Sequence, residues 1–440
     1  MSDLTSGSAG KPRALYTYDA HRGALVLECL TAFAFFMALL APRGMLMWLS
    51  LWVIAVLGQR LIYGDFQGAK NEAFRFFSPG AKRVSLVLGA LVGWAGLSAM
   101  WSPVPAITID KSLQVAGLVF VLGVGAILVS SMDRIARWHA ARGAIHGFLV
   151  GALYLAVEHT TGGLIKRTII NGTDLMDAGQ SFNVVRDGVV VSINTIFLNR
   201  HTNAFVVLSP VIVLAASIWL GVGARWTRFA LLFSLSVLAL SFVSNSEASK
   251  VAVIAGLIAF GLAVFAPTLT LWLFRIGWTT LALLMPLIVM VLPRAETLPE
   301  EVPFSARQRV MIWQTTAARV PDAPIIGHGA SATRYLDGEL PKPAPLDDPG
   351  LGRHAHNGFL QIWLELGLVG AVITALFGLL LAQGLAGLQA RPRTLAIVAV
   401  TAITVLFSTS VGVWQLWMLS TYGVAALAFV MWARDVERST

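Results

Sequence analysis

The chain has a single cysteine, Cys29, so no internal disulfide can form and no redox compartment can be read from cysteine usage. Charge is scarce as well. Asp, Glu, Lys and Arg make up only 12% of the 440 residues, against 56% hydrophobic, and the mean hydropathy is +0.73. Those values exclude an ordinary soluble globular domain and fall in the range of membrane-spanning chains. Neither a Walker-type phosphate loop, a G-x-S-x-G nucleophile elbow nor a dinucleotide-binding fingerprint is present, which leaves nucleotide hydrolysis and α/β-hydrolase chemistry without support. There is also no 20–50-residue repeat and no second, soluble domain.

Apolar runs long enough to cross a bilayer fill the chain instead. They lie at about 24–41, 45–63, 83–101, 112–131, 143–160, 202–220, 228–244, 250–266, 270–292, 358–388, 394–411 and 414–433, which predicts an all-α polytopic membrane protein of about twelve spans. Residues 1–440 read as one integral membrane domain. Cys29 falls inside the first run and is expected to pack there. That run has no small-residue cleavage site and reads as a retained signal anchor.

The formal charge of +9 speaks of topology, not of nucleic acid, because the cations are spread over short inter-helix loops. Lys11, Arg13 and Arg22 precede the first span; Arg60, Lys70, Arg75, Lys82 and Arg83 follow the second; Arg134, Arg137 and Arg142 follow the fourth. Arg225 and Arg228, Arg391 and Arg393, and Arg434 and Arg438 continue the pattern. All fall on one side if both termini are cytoplasmic. Two long loops on the opposite side, 161–201 and 293–357, break the rule, carrying Lys166, Arg167, Arg186 and Arg200 in the first and Arg294, Arg307, Arg309, Arg319, Arg334, Lys342 and Arg353 in the second. Long loops cross regardless of charge, so these cations are tolerated and still need a reason.

Within the second loop, 305–320 has helical periodicity, with Val310, Ile312, Trp313 and Ala317 available for an apolar face. Arg307 and Arg309 are two apart and diverge by about 200° on a helix, so one of them at most enters any single site. Arg309 is the choice, because a guanidinium grips a diphosphate bidentately. Arg200 stands just before the sixth span, as either a snorkelling anchor or a second phosphate ligand. Lys250 starts the eighth, as either a local partner of Glu247 or part of a polar wall. The stretch from Pro341 to Pro349 reads as a spacer.

The densest polar signal is Arg353–Gly367, where the chain passes from loop to apolar helix. Asn357, Gln361 and Glu365 recur every fourth residue and so share one stripe, which is expected to line a polar cavity. Asn357 can also cap the helix. His354 and His356 are too close in sequence for an H-x-x-x-H metal pair, and the nearby Asp347 and Asp348 sit in the spacer, so no metal is expected. A neutral imidazole accepting a proton near pH 7 is the better use, with His356 at the helix mouth as the general base.

Taken together these residues resemble the O-antigen ligase and polymerase superfamily of bacterial envelope glycosyltransferases. The resemblance rests on Arg309-x-x-x-Trp313, on Pro324-x-x-Gly327-His328-Gly329, on the His356-Asn357…Leu360-Gln361…Glu365-x-Gly367 stretch and on Trp101-Ser102-Pro103. The chain departs from the family where relatives often begin a span with Ser-x-Ser-Arg; here Glu247 and Lys250 occupy that region. The resemblance implies a GT-C-like fold with two long periplasmic loops, set in the bacterial inner membrane. It also implies an enzyme without cofactor or metal that moves O-antigen polysaccharide from undecaprenyl diphosphate to lipid A-core. Membrane lipids and these two glycolipids are the expected partners. On this reading Arg309, Arg200 and Lys250 bind the donor diphosphate and His356 is catalytic, supported by His354, Asn357, Gln361, Arg307 and His328. Direct displacement would invert the anomeric centre. An O-antigen polymerase, a protein O-oligosaccharyltransferase and, from another class, a lipid-linked oligosaccharide transporter remain rivals.

Overall fold

The computed structural model describes residues 13–63, 79–173, 183–336, 354–410 and 412–436. Its long helices are α1 (Arg13–Leu40), α2 (Met45–Tyr63), α3 (Pro79–Leu97), α4 (Pro105–Ser130), α5 (Arg134–Thr161), α7 (Asn199–Trp219) and α8 (Ala224–Val243), with the nine-residue α6 (Leu164–Gly172) between α5 and α7. They continue with α9 (Glu247–Phe265), α10 (Pro267–Met290), α12 (Gly358–Ala386), α13 (Ala390–Thr409) and α14 (Leu416–Val436), and with α11 (Phe304–Arg319) lying in the second long loop. Among the described residues eleven helices are long and apolar enough to cross a membrane. α2, also 19 residues and apolar, is the remaining run of the expected twelve.

Local sequence sets the ends of these helices. Asp133 accepts the Ala136 N–H at 2.7 Å and Gly162 closes α5 in the left-handed conformation (φ +65°). Ser246 caps α9 and Asn357 caps α12 through side-chain oxygens, satisfying donors that a helix start leaves open. Prolines open α4 and α10, where a missing N–H costs nothing.

Burial separates a central post from peripheral helices. α7 is buried along nearly its whole length and is surrounded by α1, α5, α8, α9, α13 and α14, whereas α3 and α8 turn most of their apolar surface outward. α1 and α5 approach most closely. A Cβ on Gly147 would stand 1.9 Å from the Ala32 carbonyl oxygen and one on Gly143 2.2 Å from that of Glu28, so small residues one turn apart let two backbones touch. Cys29 does not pack: it is exposed on the outer surface of α1, where a small apolar side chain is tolerated by lipid.

The described turn residues at 41–44, 98–104, 162–173, 183–198, 244–246, 291–336, 354–357, 410 and 412–415 follow alternate helices and gather at one end of the bundle. The first long loop is more ordered than its sequence suggests. After α6 it forms a hairpin of β1 (Asn183–Arg186) and β2 (Val189–Ile193), turned by Asp187 and Gly188 at φ +51° and +77°, a pairing suited to strand twist. Asn171 holds it by exchanging two hydrogen bonds with Val190, at 3.0 and 2.9 Å, and Ile170, Val190 and Ile193 form a small core beneath. In the second loop α11 turns Trp313 and Ala317 into the bundle against Trp278, Phe359 and Leu360. The spacer from Pro341 to Pro349, with Lys342, Asp347, Asp348 and Arg353, lies outside the described residues.

Candidate functional site

The site is built on a break in α12. Gly367 leaves the helical region (φ +64°, ψ −161°), and the turn 324–331 inserts there. Backbone hydrogen bonds run from His328 N to Leu364 O (3.0 Å), Gly329 N to Glu365 O (2.8 Å), Leu368 N to Pro324 O (2.9 Å) and Val369 N to Ile325 O (3.2 Å). The approach needs glycine on both sides. A Cβ on Gly327 would lie 2.3 Å from the Glu365 carbonyl carbon, and one on Gly367 2.3 Å from Ile325 O; both have positive φ as well. The third-span element closes the other side: the Trp101 indole N–H donates to Gly327 O at 2.9 Å, Ala330 N to Ser98 Oγ at 2.9 Å, and Thr108 Oγ1 to Ala330 O at 2.8 Å. The Pro-x-x-Gly-x-Gly and Trp-Ser-Pro sequences are therefore parts of one clasp. The His328 ring takes a place beside it, with Nε2 3.4 Å from Arg319 O.

Two members of the polar stripe of α12, Gln361 and Glu365, serve the clasp, and all three are buried against protein where their spacing led to the expectation of a polar cavity. Gln361 spans two partners, accepting Val413 N at 3.1 Å and donating to Glu365 Oε1 at 2.9 Å. Glu365, 1% exposed, receives Ser331 N at 2.7 Å, Thr333 N at 3.3 Å, the Thr333 hydroxyl and the Trp414 indole. Every member of the stripe is buried; Gln361 and Glu365 are bonded as buried polar groups require, whereas Asn357 Nδ2 has no partner among the described residues. Asn357 Oδ1 caps α12 through Leu360 N at 3.0 Å, as its position predicts.

The two histidines stand just before that cap, ring centroids 4.0 Å apart. They differ in environment. His354 Nδ1 lies 3.3 Å from the His356 backbone N, and its Nε2 lies 3.1 Å from the Gln415 carboxamide. Burial pushes its pKa down to about 3, helped by the charges of His356, Arg334 and Arg200, so the ring is neutral at neutral pH. His356 sits in the left-handed region at φ +50°, a costly conformation for a side chain of its size. Its Nδ1 is 3.2 Å from the Ser410 carbonyl oxygen. A carbonyl can only accept, so Nδ1 carries the ring proton and Nε2 carries the basic lone pair.

Behind His356 a chain of hydrogen bonds ties three helices together. Asn203 Nδ2 donates to Ser410 Oγ at 2.9 Å, while its Oδ1 accepts Ser249 Oγ at 2.7 Å and Ser246 Oγ at 3.2 Å. The hub thus links α7, the start of α9 and the residue that holds His356. Arg200 lies one turn before Asn203 and acts electrostatically on His354. Lys250 does form the local pair with Glu247, at 2.8 Å, and Glu247 is also the charged neighbour of Arg309. Burial lowers the Arg309 pKa and Glu247 opposes that shift; the guanidinium stays charged. Arg307 Nε is buried with no partner among the described residues.

The structure therefore groups Arg200 with the histidines, and Arg309 with Glu247 and Lys250, with Asn203 between the two groups. Sequence reasoning missed Asn203 and Ser410, whose roles depend on contacts across helices. It also missed Arg43 in the tight turn after α1, although a cation there contradicts the charge asymmetry that orients the other loops. Among the described residues no group of three His, Cys, Asp or Glu is placed to hold a metal ion.

Residues 188–375 match the family described as O-antigen ligase. That segment contains Arg200, Asn203, Lys250, Arg309, the 324–331 turn with the break at Gly367, and both histidines. Among curated proteins, one from Rickettsia felis is 26% identical over 295 residues, 64% of this chain and 63% of its own length. One from Rickettsia conorii is 26% identical over 207 residues, 44% and 49% of the two chains. One from Rickettsia prowazekii is 26% identical over 245 residues, 52% of each. All three names include the words polysaccharide ligase. The chain spans between about half and just under two thirds of the length of these relatives.

Proposed function

The chain is a member of the O-antigen ligase superfamily, and from that premise we propose that it transfers O-antigen polysaccharide from undecaprenyl diphosphate to lipid A-core. A polysaccharide-ligase type of activity is what the family and the relatives' names support. The donor, the acceptor, the bacterial inner membrane and the periplasmic side are our own assignment. The observation that carries it is His356: an imidazole fixed by Ser410 O as the Nδ1–H tautomer, in a strained backbone conformation, beside a cation-rich lip.

In this mechanism His356 Nε2 takes the proton of an acceptor hydroxyl as its oxygen bonds to the anomeric carbon. The bond from that carbon to the diphosphate oxygen breaks, and its electron pair leaves with the lipid diphosphate. Arg200 and Arg309, with Lys250, stabilise the departing charge, the role in which preorganised cations contribute most. A single displacement inverts the anomeric centre, and no step calls on a metal. His354, neutral and accepting the His356 backbone N–H at Nδ1, positions His356.

The test is reconstitution of purified protein with defined lipid-linked donor and lipid A-core, with and without chelator. We expect transfer in both conditions and its loss, by a hundredfold or more, in His356→Ala of unchanged melting temperature. Full transfer by that variant would remove His356 from the mechanism. Extension of a second lipid-linked glycan in place of lipid A-core would identify a polymerase, and movement of donor across vesicles without transfer would identify a transporter.

A further inference from the structure

Three cations outside the α9–α11 group converge at the end of the bundle from separate elements. Arg43 occupies the turn 42–44 between α1 and α2, exposed. That turn is fastened to α7 where His201 Nδ1–H donates to Leu39 O at 2.6 Å, one residue after Arg200. Lys166, from α6, sits with Nζ 3.9 Å from the Phe197 ring centroid, and that ring is 6.0 Å from the His201 ring. Taking the diphosphate-dependent reading above as given, we propose that Arg43 and Lys166 complete Arg200 into the subsite that holds the donor's diphosphate.

The charge arrangement supports this. Arg43 repels both Arg200 and Lys166, and burial together with Arg43 lowers the Lys166 pKa against the pull of Glu158. Glu158 is the carboxylate beside Lys166, with Arg167 as its other cationic neighbour. Its Oε1 is already engaged by the backbone N–H groups of Ile165 and Lys166, at 2.7 and 3.1 Å. Like charges drawn together from three elements oppose folding unless an anion joins them, and such arrangements mark sites for one. Of Arg43, Lys166 and Arg200 only Lys166 has, among the described residues, a carboxylate acting on it, Glu158, whereas Arg309 and Lys250 share Glu247. The bound diphosphate therefore rests on Arg43, Lys166 and Arg200, and the charge that develops as it leaves is met by Arg309 and Lys250 as well. Arg200 is also the member that acts on His354, which sets the subsite beside the proposed base.

The experiment uses the full chain in nanodiscs with farnesyl diphosphate as probe and farnesyl monophosphate as comparison. Wild type should bind the diphosphate more tightly than the monophosphate. Arg43→Ala and Lys166→Gln should each weaken the diphosphate at least about tenfold, the loss expected for one charge-assisted contact. Arg43→Lys should recover part of it, and Arg186→Ala, a cation in the hairpin, should bind as wild type. Lys166→Arg keeps charge and ring contact if Lys166→Gln fails to fold. In the transfer assay Arg43→Ala should raise the donor KM and leave the acceptor KM unchanged. Wild-type affinity in both Arg43→Ala and Lys166→Gln would overturn the subsite while leaving the proposed function standing. A rise in acceptor KM alone would overturn it in favour of acceptor phosphates. Wild type that binds no farnesyl diphosphate would overturn both.

Discussion

Replacing Glu365 with glutamine changes one oxygen for an NH2 group and nothing in shape, which isolates what the clasp demands of this residue. Five donors converge on the carboxylate: Ser331 N and the Trp414 indole on Oε2, and Gln361 Nε2, Thr333 N and the Thr333 hydroxyl on Oε1. A glutamine must turn its NH2 toward one of these groups. On the Oε2 side it meets two N–H donors that cannot reverse. On the Oε1 side the Thr333 hydroxyl can rotate to accept, but Thr333 N cannot, and Gln361 is held in orientation by Val413 N on its own oxygen. Either way at least two buried donors lose their acceptor, at about 1–3 kcal/mol each, or about 2–6 kcal/mol in all. Opening of the clasp should then become at least about 30-fold more frequent. Limited proteolysis within 293–353 should accelerate by that factor where opening is fast relative to cleavage, and the tryptophan fluorescence melt should fall. An E365Q protein with wild-type cleavage rate and melting temperature would refute this account of the stripe.

Gly147→Ala should lower monodisperse yield and melting temperature sharply, because its Cβ would meet Ala32 backbone atoms that cannot move aside; Gly93→Ala, built into open space, should change neither. Asn203→Ala removes the acceptor of Ser246 and Ser249 and the donor to Ser410; transfer should fall about 10–100-fold with the protein still folded, and Ser246→Ala should cost less. His354 has its pKa lowered from 6.5 to about 3, so below pH 6.5 the unfolded chain binds the extra proton. Its contribution to stability is complete above that pH and is lost as pH falls toward 3, at no more than about 1.4 kcal/mol per pH unit. The acid limb of a melting profile should therefore be shallower in His354→Gln than in wild type.

The helices were legible because lipid imposes a simple rule, about 20 apolar residues per crossing, and little else in the chain meets it. The hairpin 183–193 was missed although its signal is present, Asp187-Gly188 between Val184-Val185 and Val189-Val190-Val191; what the sequence does not show is that Asn171 fastens it through Val190. The stripe on α12 shows a different limit. Fourfold spacing established that Asn357, Gln361 and Glu365 face one way; it could not say whether water, ligand or protein lies opposite. The answer depends on Gly327 and Gly367, which let another backbone come within hydrogen-bonding distance and fill that space. Once Gln361 and Glu365 are taken up by the clasp, the polar groups left for chemistry are those whose bonds hold a geometry open: His356, strained and oriented by Ser410, and cations that repel one another. Arg43 belongs to that set by charge alone. Its three-residue turn carries no motif, and only folding brings it to the start of α7, which is why the sequence pointed to Arg200 and not to its neighbours.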